Sequence, residues 1–263
     1  MVESQAYFDR VAMQQADHIT AGSEYARQRI HELYGIPLWK ISAIPHGMIT
    51  PHWLNLARAQ EATSNDHPVL LAVSKMYPRK RLDILLNAMP MVIAAQPDVE
   101  LRIVGDGLEY DHMRTLSYNL GIDDHVTWLG HVSDDLAFAR EWRQADIFCH
   151  PSLQETFGYV YLEAMQLGKP IVASRAGAAP EVVADAGLLV EPEDSLAFAN
   201  ALLRLIGSRE LRHQLGERSR SRAPLYTQRR MIDGYVEIMD ELIYSHNRYQ
   251  SNGHSHAIPA LRG

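Results

Sequence analysis

Residues 147–167 read IFCHPSLQETFGYVYLEAMQL and contain a strand signal, a loop and a helix signal in succession. The apolar run Ile147–Cys149 is typical of a short buried strand, and the segment from Thr156 to Leu167 has helical periodicity. The polar loop between them brings Glu155 to the point where the helix is predicted to begin. This order of elements is the repeating unit of a parallel α/β sheet.

Further apolar runs alternate with amphipathic segments after residue 68 and predict the other strands of the sheet. Near-continuous apolar runs of this kind are typical of parallel strands that are covered on both faces. The sequence therefore predicts an α/β fold with a doubly wound parallel sheet, in which ligands bind beyond the carboxyl ends of the strands. The runs are Val69–Val73, Leu101–Val104, Val126–Leu129 and Ile171–Ala173.

The start of the predicted helix has the features of an anion site. The first amides of a helix have no partner within it, so those near Phe157, Gly158 and Tyr159 suit a phosphate. Gly158 also removes a side chain where a phosphate must come close. Seven residues separate Glu155 from Glu163, which puts the two carboxylates at different depths along one extended ligand. One carboxylate could bind sugar hydroxyls and the other a ribose.

Two other interpretations of these glutamates stay open. Acidic residues are common near helix starts because of the helix dipole, so Glu155 could be a cap and Glu163 a solvated helix residue. A glycosidase also uses two carboxyl groups, one that protonates the leaving group and one that attacks or activates water. The glycosidase interpretation does not explain the glycine and the helix start.

Composition limits the class of protein. The 263 residues are 46% hydrophobic and 22% charged, which is ordinary for a globular protein. A net charge of −7 and a pI near 6.0 argue against nucleic acid as a partner. The single Cys149 cannot form an internal disulfide and favours a reducing, cytoplasmic setting. No apolar stretch is long enough to span a bilayer, so any membrane contact is expected to be peripheral.

Ordered landmarks extend beyond the two glutamates. The stretch Glu155–Met165 resembles the paired-glutamate motif of retaining glycosyltransferases of the GT-B fold, in the group called family four. The agreement runs from Val69 to about Val190, and several landmarks in the same order are more specific than one motif. The landmarks upstream of the glutamates are Ser74–Lys80, Leu101–Gly107 and Trp128–Val132.

The resemblance implies roles for the residues that match the family's motifs. Glu155 would bind the hydroxyls of the donor sugar, and Glu163 would bind the ribose. Lys75 and Lys80 would bind the pyrophosphate and stabilise the departing nucleoside diphosphate. The family usually has arginine where Lys75 stands, and lysine lacks the bidentate fork of arginine.

The base of the donor nucleotide is expected to contact the loop after the third predicted strand. By the same resemblance, the backbone near His131 and Val132 would make these contacts. Backbone recognition leaves uracil, guanine and adenine open. The nearby Gly105–Gly107 lacks the third glycine of a dinucleotide-binding fingerprint, so a tight turn at the edge of the pocket is the better interpretation.

The expected activity is metal-independent transfer of a hexose with retention, and no cofactor is expected. The chain has no Asp-x-Asp motif, and His150 beside Cys149 has no second pair at metal-ligand spacing. A nucleotide-diphosphate sugar is the expected donor substrate, and the acceptor is a sugar, a lipid-linked glycan or a small molecule. The alternative function is a non-catalytic module or fragment that binds nucleotide sugars.

The family's domain organisation predicts five segments. These are the end of a truncated acceptor-side domain at 1–50, a hinge at 51–67, the donor-binding domain at 68–225, a crossover helix at 226–246 and a mobile tail at 247–263. The residues before position 68 are too few to bury both faces of a Rossmann-like sheet, so only a remnant of that domain is expected. A companion chain that supplies the missing domain would favour the enzyme, and a free-standing chain would favour the module.

Overall fold

The structure is a computed structural model that describes residues 2–59 and 65–251. The chain divides into two compact units. The terminal unit comprises the described parts of Met1–Met48 and Tyr226–Gly263, and the central unit comprises those of Ile49–Leu225. Within the described ranges, no helix has the length and apolar character needed to cross a membrane.

The terminal unit contains a small parallel sheet with helices. Its first elements are helix α1 (Val2–Gln15), strand β1 (Ile19–Ala21), helix α2 (Glu24–Tyr34) and strand β2 (Ile41–Ala43), and β1 pairs with β2. The hydroxyl of Ser23 accepts a hydrogen bond of 3.0 Å from the amide of Ala26 and so caps α2. The parallel pair of β1 and β2 lies in the segment that the sequence assigns to a second Rossmann-like domain.

The central unit is built on a six-stranded parallel sheet with the strand order β5-β4-β3-β6-β7-β8. Helices follow the strands, which confirms the predicted doubly wound α/β fold. The elements are α3 (His52–Ala59), β3 (Val69–Val73), α4 (Leu82–Ala95), β4 (Glu100–Val104), α5 (Tyr110–Asn119), β5 (Val126–Gly130), α6 (Asp135–Gln144), β6 (Ile147–His150), α7 (Tyr159–Gln166), β7 (Ile171–Ser174), α8 (Ala179–Val182), β8 (Gly187–Val190), α9 (Ser195–Ile206) and α10 (Arg209–Arg222). The last described element, α11 (Gln228–Ser251), belongs to the terminal unit.

The order of the strands reverses between β3 and β6. From β3 the chain proceeds outward through β4 to β5 and then returns to pair β6 with the other edge of β3. The loops that leave β3 and β6 therefore diverge on opposite faces of the sheet and open a crevice between their carboxyl ends. This switch point is where an open α/β sheet binds its ligand.

Both faces of the sheet are buried, which explains the continuous apolar runs. On one face, Ile147 and Cys149 pack in a core cluster with Leu86, Phe198 and other residues of α4 and α9. On the other face, the Phe148 ring lies 5.1 Å from that of Trp142, and the indole of Trp142 stacks on that of Trp53 in α3. Alternation along β6 puts His150 on the same face as Phe148.

Some elements differ from the prediction. Helix α7 begins at Tyr159 and not at Thr156, because Gly158 adopts a left-handed conformation with φ of 86°. Strand β8, a half-buried edge strand, was not predicted, although its residues Leu188, Leu189 and Val190 are apolar. The predicted hinge contains helix α3, with Trp53 and Leu54 buried. Helix α11 continues to Ser251, into the segment expected to be a mobile tail, and 252–263 lie outside the described residues.

Backbone contacts hold the loops after β3 and β4 together. A Cβ atom on Gly105 would lie 1.9 Å from the carbonyl oxygen of Ser74, and one on Gly107 would lie 2.7 Å from that of Met76. The amide of Met76 donates a hydrogen bond of 2.7 Å to the carbonyl of Asp106. The two glycines therefore permit close packing of two loops, in agreement with the predicted tight turn.

We expect Gly105→Ala to destabilise the protein by about 3 kcal/mol, because the methyl group collides with backbone and φ is +130°. Gly121→Ala is the matched control, since Gly121 also has a positive φ, of +66°, but has no atom within 4 Å of the new methyl group. Its expected cost is about 1 kcal/mol. Urea unfolding midpoints of the two variants measure the difference, and equal midpoints would contradict the loop contact.

Candidate functional site

The carboxyl ends of β3 and β6 bring three polar side chains into direct contact. The Lys80 ammonium donates a hydrogen bond to Oε1 of Glu155 and forms an ion pair with it. His150, the last residue of β6, places its Nε2 at 2.7 Å from the same oxygen. The Lys80 and Glu155 side chains are only 13% and 11% exposed, and His150 is buried. The central polar group of the switch point is therefore Glu155 with two donors.

Hydrogen bonds between two loops set this geometry. Lys80 ends a short 3₁₀ turn, Pro78–Lys80, that follows β3. The carbonyl oxygen of Arg79 in that turn accepts a 3.0 Å bond from the Leu153 amide and a 3.3 Å bond from the Ser152 hydroxyl. Both donors belong to the loop between β6 and α7. The lysine and the glutamate are thus held together by their backbones as well as by their charges.

A third loop, between β7 and α8, fixes the backbone of Glu155. The amide of Ala178 donates a hydrogen bond of 2.8 Å to the carbonyl of Glu155. A Cβ on Gly177, whose φ is +59°, would lie 2.7 Å from both the nitrogen and the carbonyl oxygen of Glu155. Glycine is required there by the close approach of these two loops. The turn at Gly177 therefore positions Glu155.

Electrostatics keep Glu155 ionised in spite of its burial. Burial alone would raise the pKa of Glu155, but the hydrogen bond from His150, the charge that His150 acquires in acid and the charge of Lys80 outweigh it and lower the pKa to about 2. Burial lowers the pKa of His150, although Glu155 opposes this effect. A neutral imidazole with its proton on Nε2 agrees with the lowered pKa of His150 and can still donate a hydrogen bond to Glu155. Lys80 is then the positive charge that stabilises the carboxylate.

Gly158 at the start of α7 is explained by a neighbouring aromatic ring. A Cβ on Gly158 would lie 2.6 Å from the ring of Tyr161, so the glycine makes room for that ring whether or not a phosphate binds. The Tyr161 ring meets His150 edge-on with centroids 5.3 Å apart. Its buried hydroxyl has no hydrogen-bond partner within the described chain. At the same helix start, Phe157 is buried and Tyr159 is 48% exposed.

Glu163 differs from Glu155 in its hydrogen-bond partners and in the direction of its pKa shift. It lies in the second turn of α7, nearer the helix start than the sequence predicts because α7 begins at Tyr159. The side chain is half-buried, and it makes no hydrogen bond or ion pair with any residue that the structure describes. Burial raises its pKa to about 7. Helix α7 thus carries a carboxyl group without a described partner, whereas Glu155 has two donors at its Oε1.

The remaining predicted site residues are more exposed. Lys75 follows β3 and is exposed, and its ammonium has no partner among the described side chains. His131 and Val132 follow β5, at the edge of the sheet and separated from β3 by β4. The structure therefore brings Lys80 and Glu155 into contact and leaves Lys75 open to solvent.

His150 is the site residue that sequence reasoning missed. It was considered only as a metal ligand, and the described residues contain no group of three His, Cys, Asp or Glu side chains that could share a metal ion. The position of His150 at the end of a predicted strand is the sequence feature that indicates a place in the site. A polar residue that ends an apolar strand on the carboxyl edge of a parallel sheet, five residues before a glutamate, lies close to any ligand of that edge.

The comparison with protein families identifies the chain's relatives. A family model described as glycosyl transferases group 1 matches residues 55–222, which include all of the loops described above. The chain belongs to this glycosyltransferase family. The predicted resemblance is confirmed at the level of the family.

Curated members of the glycosyltransferase family resemble most of the chain. A GDP-mannose-dependent phosphatidylinositol monomannoside mannosyltransferase of Mycolicibacterium smegmatis is 32% identical over 201 residues, which cover 71% of this chain and 52% of that protein. A related mannosyltransferase of Corynebacterium glutamicum is 32% identical over 224 residues, which cover 79% and 57%. The chain spans about half the length of the curated relatives it matches.

Solved structures of glycosyltransferases confirm the fold. Sucrose-phosphate synthase from Thermosynechococcus elongatus superimposes with a TM-score of 0.76 and 27% identity over 92% of this chain and 62% of that chain. Anabaena HepE in complex with UDP and glucose gives a TM-score of 0.71 and 26% identity over 88% and 64%. The Rossmann-like half of a GT-B fold is therefore the architecture of the central unit.

We expect Glu155→Gln to destabilise the protein by about 3 kcal/mol at neutral pH, because the variant cannot supply the negative charge that Lys80 stabilises. The folded-state pKa of Glu155 is lowered to about 2 from 4.5. Its stabilisation is therefore present above about pH 4.5 and is lost as the pH falls towards 2. Unfolding midpoints of wild type and variant should converge in acid, and a constant difference would contradict the assignment.

Glu163→Gln should have the opposite effect. Burial raises the folded-state pKa of Glu163 to about 7, so the folded protein binds the proton more tightly and loses stability as the pH rises from about 4.5 through 7. The neutral amide removes this cost. We expect the variant to be more stable than wild type by about 1 kcal/mol near pH 8, discounted for partial exposure, and equal to it below about pH 4.5. The same series of unfolding midpoints tests both variants. If both substitutions shifted the midpoint in the same direction near pH 8, the contrast between the two glutamates would be refuted.

Proposed function

We propose that this chain binds a nucleotide-diphosphate sugar and provides the donor half of a retaining, metal-independent glycosyltransferase. One observation carries the proposal. Both donors to Glu155, from Lys80 and His150, end on Oε1, and Oε2 has no hydrogen-bond partner among the described residues. The carboxylate is thus ionised, immobilised and left with a free acceptor oxygen, which is what a sugar hydroxyl requires.

The pyrophosphate of the donor is assigned to Lys75, Lys80 and the first amides of α7. The Lys80 ammonium has three N–H donors, and one of them donates its hydrogen bond to Glu155. Lys75 is exposed and forms no ion pair with a described residue, so its ammonium can donate to a phosphate without breaking an existing contact. The amides near Phe157, Gly158 and Tyr159 add the positive end of the helix dipole.

The ribose of the donor is assigned to Glu163. A half-buried carboxyl group with no partner and a raised pKa is more common at binding sites than elsewhere. Two ribose hydroxyls would satisfy its oxygens and favour the ionised form. The base is assigned to the backbone near His131 and Val132. The identity of the base stays open among uracil, guanine and adenine. The related mannosyltransferases use GDP-mannose by name, and the HepE structure contains UDP.

The proposed reaction breaks the bond between the anomeric carbon and the donor phosphate oxygen. The acceptor oxygen forms the new bond on the same face of the sugar, and its proton passes to the departing phosphate. Lys75, Lys80 and the helix amides offset the negative charge of that phosphate. No cofactor takes part in this scheme. The buried free thiol of Cys149 supports a reducing cytoplasm as the compartment.

The acceptor is not assigned to any described residue. The relatives named above act on phosphatidylinositol monomannoside, and others act on D-inositol 3-phosphate. An inositol-containing acceptor is therefore the first class to test, ahead of other sugars and lipid-linked glycans. Because the chain spans about half the length of these relatives, a binding module without turnover is the second candidate.

Calorimetric titration with UDP, GDP and ADP in a metal chelator tests donor binding. We expect saturable binding of one nucleotide and about tenfold weaker binding by Lys75→Ala, since a hydrogen bond from a charged group is lost at an exposed position. Arg79→Ala is the matched control, because the exposed Arg79 guanidinium lies over the ring of Tyr77, with its Cζ 5.5 Å from the ring centroid, and has no assigned role in donor binding.

Two outcomes of this titration would overturn parts of the proposal. If none of the three nucleotides binds, the donor site is refuted. If binding requires a divalent cation, metal independence is refuted and the donor site is kept. Addition of the matching sugar nucleotide and an inositol acceptor then separates the enzyme, which releases nucleoside diphosphate, from the module, which does not.

A further inference from the structure

A basic cavity lies at the edge of the central sheet opposite Glu155. Its volume is about 270 Å³, and four cationic side chains line it: Arg58, Arg143, Lys169 and Arg220. Arg143 lies in the last turn of α6, before β6 begins, and Lys169 precedes β7. The cavity is therefore at the amino ends of the strands, whereas the candidate donor site is at their carboxyl ends. The proposed function makes no use of it.

The charges around this cavity are poorly compensated. No carboxylate of the described residues lines it. Among the described residues, the ion pair from Arg220 to Glu217 is the one that involves any of the four cations, and both of its partners are half-exposed. Arg58 donates to the neutral amide of Gln166. The cavity therefore concentrates positive charge without a counter-ion from the lining residues.

Arg143 adds an unsatisfied guanidinium to the wall of the cavity. Its Nε is fully buried and has no hydrogen-bond partner within the described chain. A buried guanidinium nitrogen without an acceptor is costly, because folding removes its water and replaces it with nothing. An anion in the cavity that draws the Arg143 guanidinium towards it would relieve this cost.

Lys169 has a structural role and adds charge to the cavity. Its ammonium donates hydrogen bonds to the carbonyls of Arg143, at 3.1 Å, and Ala145, at 2.6 Å, and so caps the end of α6. Burial lowers its pKa to about 8; Asp146 opposes this effect, and the charges of Arg220 and Arg143 add to it. Capping explains Lys169, but it does not explain why three arginines converge on the same space.

We propose that this cavity binds a phosphate group, either as a free phosphate or as a phosphate monoester. Arginine guanidinium groups match the geometry of phosphate oxygens and form strong charge-assisted hydrogen bonds with them. The volume is near the lower limit of about 300 Å³ for small-molecule pockets, which fits a phosphate with a short substituent. The site is separate from the donor site and would bind its ligand whether or not a nucleotide is present.

Titration of the ¹⁵N-labelled chain with inorganic phosphate tests the proposal. We expect the amide resonances of Leu167 and Lys169 to shift in a saturable manner. Arg58→Gln and Arg220→Gln should each weaken this binding about tenfold, since each removes one charged donor from an exposed position without disturbing the core. Arg143→Gln should do the same, provided that its unfolding midpoint stays close to wild type.

Arg140→Gln is the matched control, because Arg140 is an exposed arginine of the same helix, α6, outside the cavity. Lys75→Ala separates the two anion sites, and shifts at Leu167 and Lys169 should persist in that variant. The proposal is overturned if these resonances do not move, or if Arg140→Gln weakens binding as much as Arg58→Gln.

The source of the phosphate is a separate result of the same experiment. Glycerol 3-phosphate represents a soluble monoester, and phosphatidylcholine vesicles that contain phosphatidic acid represent a lipid headgroup. Stronger binding of glycerol 3-phosphate than of inorganic phosphate supports a soluble ligand. Sedimentation with the acidic vesicles, but not with pure phosphatidylcholine, supports the headgroup, provided that Arg58→Gln abolishes it and Arg140→Gln does not.

Discussion

The contact of Lys80 and His150 with one oxygen of Glu155 is the interaction on which the site depends. An isolated carboxylate at this depth would take up a proton, and an isolated ammonium would lose much of its hydration. Together they remain charged at the crevice between β3 and β6. The loops after β3, β6 and β7 are all arranged around this contact, through the carbonyl of Arg79 and the close approach of Gly177 to the Glu155 backbone.

The contrast between the two glutamates follows from their partners. Glu155 has two donors and a low pKa, whereas Glu163 has none within the described chain and a high one. The Glu155 carboxylate is therefore held in place before any ligand binds, whereas the Glu163 carboxyl group still lacks hydrogen-bond partners among the described residues. In the donor complex that we propose, the free energy gained at Glu163 would be available for selectivity, and Glu155 would be a rigid anchor for the sugar.

The fold was largely predictable from the sequence, because burial on both faces turns each strand into a continuous apolar run. Val69–Val73 was predicted with its observed bounds for this reason. Elements that depend on tertiary contacts were not predictable: β8 is a half-buried edge strand, and the delayed start of α7 reflects the conformation of Gly158 against Tyr161. For the site, residue types pointed to Lys80 and Glu155, but their pairing and the role of His150 depend on loops that are distant in sequence.

The terminal unit contains α1, β1, α2 and β2 from the beginning of the chain and α11 from its end. During synthesis on the ribosome, the early elements emerge long before α11, with the whole central unit between them. The central unit can therefore fold first, as contiguous domains generally do. The contacts of Ile44 and Gly47 with α11 can therefore form only after the central unit has been synthesised.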